Sequence, residues 1–178
     1  KAKIIRDKDG KLCLFHTEDD FVDGYMDWIH GGKYIVLNNY TWEQGSDVYL
    51  FDIESGEKRL LTMDLPKNEL VTAMKWLDHR YFLFVSQFDH GTVEIGGDIW
   101  VYDTETDEAF LVIDREDGRL QIRDMMVLDG LILLDVPYYD EEYIETEQHY
   151  YAVSAKTVYS CIEEKQPTVI RPGEWIEG

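Results

Sequence analysis

Asp47-Val48-Tyr49-Leu50-Phe51-Asp52 returns as Asp98-Ile99-Trp100-Val101-Tyr102-Asp103, and in weaker form as His149-Tyr150-Tyr151-Ala152-Val153-Ser154. The step between copies is 51 residues both times, and a second phrase keeps it, with Trp76-Leu77-Asp78 recurring as Val127-Leu128-Asp129. Within each copy apolar and polar residues alternate, which is the pattern of a strand with two different faces. A small sheet of such strands cannot bury its faces alone. A fixed-step repeat of this kind therefore predicts several small sheets stacked on one another.

Working outward, each copy stands third among four strand-like runs. In the first full unit these are residues 25–29, 34–37, 47–52 and 58–62. His30-Gly31-Gly32 and Glu54-Ser55-Gly56 supply its turns, and Gly56 offers the positive φ that a tight hairpin needs. The second unit reads as 71–77, 81–88, 98–103 and 108–113, the third as 121–128, 131–138, 149–154 and 158–163. Ahead of them, residues 3–6 and 11–15 flank Asp7-Lys8-Asp9-Gly10 and read as the last two strands of an incomplete unit. Behind them, Thr168-Val169-Ile170 and Glu174-Trp175-Ile176, split by Pro172-Gly173, offer a strand or two. No helix of any length is expected, and no linker divides the chain. The expectation is one all-β domain over residues 1–178, with a half unit at 1–16, repeats near 24–62, 70–113 and 121–163, and a tail at 164–178.

Four antiparallel strands repeated every 40 to 50 residues is the sequence behaviour of a β-propeller blade. The run from Asp47 through Ser55-Gly56 to Leu60-Leu61-Thr62 resembles the third and fourth strands of TolB-like propeller blades. Those carry an apolar strand, an Asp, a Ser/Thr-Gly turn and then Leu-Thr. The resemblance is good there, fair over residues 76–113, and weakens in the third unit, where Ser154 replaces the Asp. It implies a propeller-like array of blades and binding at one face, and it implies no reaction. TolB-like rings close with six or seven blades, whereas this chain holds about three and a half. Either a four-bladed ring, with the tail pairing against the N-terminal half-blade, or an open lobe would follow. A twisted sheet or sandwich built from the same hairpins is the other architecture.

Composition narrows the function. Twelve Tyr and five Trp in 178 residues suit strands. No apolar run is long enough to span a membrane as a helix. The net charge is −20, from 37 acidic and 17 basic residues, so nucleic acid and anionic membranes would be repelled. The chain begins at Lys1 with no signal segment in view, and a processed, extracytoplasmic form is the expectation, with the cytoplasm left open. Cys13 and Cys161 are expected to be free buried thiols, or else paired.

The charge is not spread evenly. In a blade array the loops joining second to third strands, and fourth strands to the next blade, share one face. Here those loops are residues 16–24, 40–46, 63–69, 89–97, 114–118 and 138–148. They hold 17 of the 37 acidic residues but only two basic ones, Lys67 and Arg115. Such a face would attract a basic protein segment, a polyamine or a divalent cation. Within it, Tyr138-Tyr139-Asp140-Glu141-Glu142-Tyr143 interleaves aromatics with carboxylates, and Tyr is a strong interface residue. Trp42 beside Glu43, and Asp89, His90 and Glu94 in the long loop of the second unit, complete the candidate binding set.

Catalytic and metal signatures are weak. An EF-hand needs Gly at its sixth position and Glu at its twelfth, but counting from Asp103 these are Glu108 and Asp114. Glu18-Asp19-Asp20 and Asp140-Glu141-Glu142 would bind Ca²⁺ weakly at best. His16, His30, His79, His90 and His149 stand singly, without zinc-site spacing. No Gly-x-Ser-x-Gly and no phosphate-cradling loop occurs. The leading expectation is a non-enzymatic binding module that needs no cofactor. A hydrolase or lyase using Asp89 and Glu94 as acid and base is the second, and an assembly domain completed by another copy is the third.

Overall fold

The structure, a computed structural model, describes the backbone of residues 2–6, 12–17, 26–29, 31–41, 45–89 and 95–176, with side chains for 26–29, 31–38, 47–89 and 95–176. It is mostly β. Strands β1 (Ala2–Arg6) and β2 (Leu12–Thr17) form an antiparallel hairpin. The first sheet is the meander β3 (Met26–Trp28), β4 (Tyr34–Thr41), β5 (Gly45–Asp52) and β6 (Lys58–Leu61). The second is β7 (Glu69–Trp76), β8 (Tyr81–Phe88), β9 (Gly97–Asp103) and β10 (Glu108–Asp114). The third holds β11 (Asp124–Leu128), β12 (Leu131–Tyr139) and β13 (Thr146–Ser154). Each repeated phrase is thus the third strand of its own sheet. No closed ring is formed among the described residues.

Period-two alternation decides which sheets touch. On β8, Phe82 and Phe84 face the first sheet with Val36, Val48 and Leu50, while Leu83 and Val85 face the third with Ile132, Leu134 and Val136. Phe82, Leu83, Phe84 and Val85 are all fully buried, so the central strand is apolar on both faces. Each such side chain contributes about 1.5–3 kcal/mol of transfer free energy. Polar bonds fix the stacking. Asn38, fully buried, donates from Nδ2 to Val71 O at 2.8 Å. The Trp76 amide and indole N–H donate to Asp27 Oδ2 (2.7 Å) and Asp27 O (3.1 Å). The third sheet buries only one face, because Met126, Leu128, Leu131 and Tyr150 stay 43–56 % exposed on the other.

Two expectations are corrected. Residues 158–163 are not a fourth strand: helix α1 (Ala155–Glu164) stands there. Positions 52, 103 and 154 explain the change. Gly56 N–H bonds Asp52 O and Asp107 N–H bonds Asp103 O, both at 2.9 Å, and in each case the donor adopts positive φ (76° and 60°) and reverses the chain. The corresponding residue in the third unit is Val158, whose β-branch excludes that conformation. The chain stays right-handed, Ser154 Oγ caps it by accepting the Thr157 amide at 3.0 Å, and Lys165 (φ 54°) ends it. Val158, Cys161 and Ile162, spaced for one helical face, pack into the core between the second and third sheets.

The second correction concerns the tail. It does not pair with the N-terminal hairpin. Strand β14 (Thr168–Val169) instead pairs parallel with β10 at Ile113 and Asp114. The chain then crosses to the third sheet, where Ile176 N–H bonds Tyr150 O and Tyr151 Oη bonds Arg171 O, both at 2.8 Å. The tail and α1 therefore cover the outer edges of two sheets that would otherwise be open.

Candidate functional site

Antiparallel meanders bring the starts of odd-numbered strands β5–β13 and the ends of even-numbered strands β4–β12 to one end of their sheets. Backbone bonds tie neighbouring loops together at that end. Asp89 N–H reaches Asn68 O (2.9 Å), Gly97 N–H reaches Ile122 O (2.9 Å), and Tyr139 N–H reaches Arg119 O (3.0 Å). Gln121, with no exposed surface, acts as the clamp. Its Oε1 accepts the Ile95 and Gly96 amides, each at 3.0 Å, and its Nε2 donates to Gly118 O. Segments 95–97, 114–121 and 138–145 are thereby one continuous surface.

The aromatic part of that surface is larger than the sequence suggests. The Arg119 guanidinium lies 5.1 Å from the centre of the Tyr138 ring. Tyr138 also meets Trp175 (6.1 Å) and His149 (6.3 Å), and His149 stacks on Trp175 at 3.8 Å. Tyr151 meets the same indole edge-on at 6.4 Å, and burial pushes its phenol up to about 12. Tyr139 and Tyr143 pair at 5.7 Å. The carboxylates sit on the exposed rim. Asp140 shapes the loop by accepting the Ile144 amide on Oδ1 at 2.9 Å, while Glu141, Glu142 and Glu145 project outward.

The cations present are already engaged. Arg119 grips Asp117 through Nη2 (2.8 Å) and Nε (3.1 and 3.3 Å), which holds the Asp117 carboxyl below its ordinary range. Arg115 lies 3.6 Å from Asp98 and donates to Gly96 O at 3.3 Å. Arg171 lies 3.2 Å from Glu116. Asp140, Glu142 and Glu145 form no ion pair with any described residue, so the rim stays negative after internal pairing is complete.

Of the residues singled out from the sequence, Tyr138, Tyr139, Asp140 and Glu141 come together here. Asp89 lies at the end of the second sheet, and Trp42, Glu43, His90 and Glu94 lie outside the described residues. Among the described residues no three His, Cys, Asp or Glu side chains converge on a metal-ligand geometry. Arg119, Tyr143, His149 and Trp175 belong to the surface as well. Tyr143 stands in the quoted run, but nothing local in the sequence says that the tail returns to put Trp175 against Tyr138. His149 Nε2 is buried without a hydrogen bond, and its 3.4 Å approach to Glu147 becomes an ion pair only on protonation.

The fold and this surface define a class: a mostly-β repeat protein of stacked antiparallel meanders that gathers acidic and aromatic loops at one end of its sheets. The chain belongs to the family described as "Domain of unknown function (DUF4652)", whose model matches residues 63–155. That span takes in the second sheet and the third. Among solved structures the chain is similar to one titled as a "putative conserved lipoprotein" from Clostridium novyi NT. The TM-score is 0.66 at 18% identity, over 73% of this chain and 85% of that one. At that identity the likeness concerns the fold alone. No curated protein matches the sequence.

Proposed function

We propose that this protein is a non-enzymatic binding module whose acidic, aromatic loop surface holds a basic segment of a protein partner. The observation that carries the reading is the unpaired rim. The described arginines at this loop surface are tied to Asp98, Asp117 or Glu116, and Asp140, Glu142 and Glu145 beside Tyr138, Tyr139 and Tyr143 form no ion pair with any described residue. Rigid tyrosines supply contact area at low entropic cost, and the carboxylates supply charge complementarity and encounter rate. The module is read as a TolB-like, propeller-like array left as an open lobe, with meander sheets in series and one face of the last sheet bare. An extracytoplasmic placement agrees with the lipoprotein title of the similar structure.

The test is capture of a lysine-rich peptide on immobilised protein between 50 mM and 500 mM salt. Screening shortens the Debye length from roughly 14 Å to 4 Å over that range, so capture should fall steeply. Glu141→Lys with Glu142→Lys should reduce capture at low salt. Capture that ignores both salt and the double substitution refutes the reading.

A further inference from the structure

A second feature opens at the same end of the sheets, between the first and the second. It is a cavity of about 350 Å³ lined by Asp47 and Val48 at the start of β5, Leu60 and Leu61 of β6, and Glu69 and Val71 of β7, among others. Its floor is aliphatic: Val48, Leu61 and Val71 are buried, and Leu60 lends a flank that is 53 % exposed. Among the described residues its ionisable lining groups are the carboxylates of Asp47 and Glu69. Each has a hydroxyl and no cation as its described partner, Tyr49 Oη at 3.2 Å for Asp47 and Ser86 Oγ for Glu69. The nearest cations on β6 are directed elsewhere. Lys58 lies 4.1 Å from the centre of the Tyr49 ring, and Arg59 is paired with Asp107 at 2.7 Å. Asp64 and Lys67, on the β6–β7 loop, are exposed and outside the lining.

An aliphatic slot with two carboxylates and no cation among its described lining residues is complementary to one chemistry, an alkyl chain ending in a positive charge. We infer that this cavity is an anchor site for an alkylammonium group. It would bury a four- or five-carbon stem against Val48, Leu61 and Val71 while Asp47 and Glu69 receive the nitrogen. The inference rests on the binding reading above and deepens it, because a lysine side chain of a basic segment has this chemistry. A free diamine has it too. Burial raises the Asp98 carboxyl on β9, the Arg115 amide and guanidinium oppose that rise, and the charges of Asp114 and Glu69 add to it.

The experiment is a methyl-NMR titration of the intact chain with cadaverine, with a lysine-containing peptide, and with the same peptide carrying norleucine. Methylammonium serves as the stemless control. Valine and leucine methyl signals of residues 48, 60, 61 and 71 should shift with the lysine peptide and not with the norleucine peptide or methylammonium. Asp47→Asn with Glu69→Gln, which keeps hydrogen-bonding capacity at both positions, should weaken the response at least tenfold while the thermal midpoint stays within a few degrees. Equal shifts from cadaverine identify a free amine as sufficient, and shifts from the peptide alone identify a side chain in a chain context; either supports the site. Silent groove methyls overturn the inference. If signals of Tyr138 and Trp175 still move in that case, the loop-surface reading survives, and if they are silent as well, both fall. A groove response untouched by the double substitution also overturns it.

Discussion

Asp103 closes the second copy of the repeated phrase and is 5 % exposed. Its Oδ1 accepts Arg80 Nε at 2.8 Å and the Glu105 amide at 3.0 Å, and its Oδ2 accepts Arg80 Nη2 at 2.7 Å. This bidentate grip, opposed only in part by burial, holds the carboxyl at about 2. The ordinary value is about 3.9, so the folded state binds this proton more weakly than the unfolded chain does. A depressed value contributes stability that is complete above the unfolded value and is lost as pH falls through the folded one. Fully expressed, the difference is worth about 2.5 kcal/mol. The Arg80 side chain is 39 % exposed and solvent screens the pair, so about 1–2 kcal/mol is the working figure. Asp103→Asn should therefore lower the urea unfolding free energy by that amount at pH 7. The gap to the native sequence should hold down to about pH 4 and close toward pH 2. Subtracting one protein from the other removes the relief of the −20 net charge, which acidification brings to both. A gap that stays constant from pH 7 to pH 2 refutes the argument.

Three further outcomes follow from particular contacts. A Cβ on Gly97 would fall inside the van der Waals radius of the Ser86 carbonyl, so Gly97→Ala should cost more than about 3 kcal/mol, or prevent folding, whereas Gly56→Ala, with open space around it but φ of 76°, should cost only about 1 kcal/mol; equal melting temperatures would contradict this. Trp175→Ala removes the ring against which His149, Tyr138 and Tyr151 pack and should cost about 1–3 kcal/mol. It should also speed exchange of the Ile176 amide, and unchanged exchange would count against the tail's role. Burial raises the Cys161 thiol, so in a Cys13→Ser background labelling by a thiol reagent at pH 8 should track unfolding, and immediate labelling of the native protein would contradict its burial.

Much of the sheet order could be read directly from the chain, and the reason is local. The period of two assigns each residue of β9 to a face, the unbroken apolar run Phe82–Val85 marks β8 as buried on both faces, and the 51-residue step sets the order of the meanders. The helix was legible only in hindsight of one rule. The turn after Asp52 and Asp103 needs a residue able to take positive φ four positions on, and Gly56 and Asp107 qualify while Val158 does not. The third unit keeps the alternation of the first two as far as Ser154, and its turn chemistry fails just beyond, where the chain turns helical. The candidate surface was legible as a charge bias and a tyrosine run. Trp175 was not, because its position depends on β14 choosing the edge of β10, a pairing that two residues of strand and a proline cannot announce.

The acidic residues of this chain do two different jobs according to which end of the sheets they occupy. At the hairpin-turn end Asp52 accepts the Glu54 and Ser55 amides, each at 2.9 Å, and lies 3.3 Å from Lys33. There too Asp78 takes the Arg80 and Tyr81 amides and the Tyr159 hydroxyl, Asp103 holds Arg80, and Asp107 holds Arg59 and Tyr102. These carboxylates are parts of turns, and the charges of Asp52, Asp103 and Asp107 are matched on the spot by Lys33, Arg80 and Arg59. At the opposite end the described arginines are engaged by Asp98, Glu116 and Asp117, and Asp140, Glu142, Glu145, Asp47 and Glu69 have no ion-pair partner among the described residues. Stability alone does not call for unpaired carboxylates beside exposed tyrosines and an aliphatic cavity, since self-repulsion of like charge opposes the compact state. A net charge of −20 could be carried anywhere on the surface. Its concentration at the end where the sheets open, beyond what the arginines described there neutralise, is the physical ground for the proposal that a positively charged partner binds at that end.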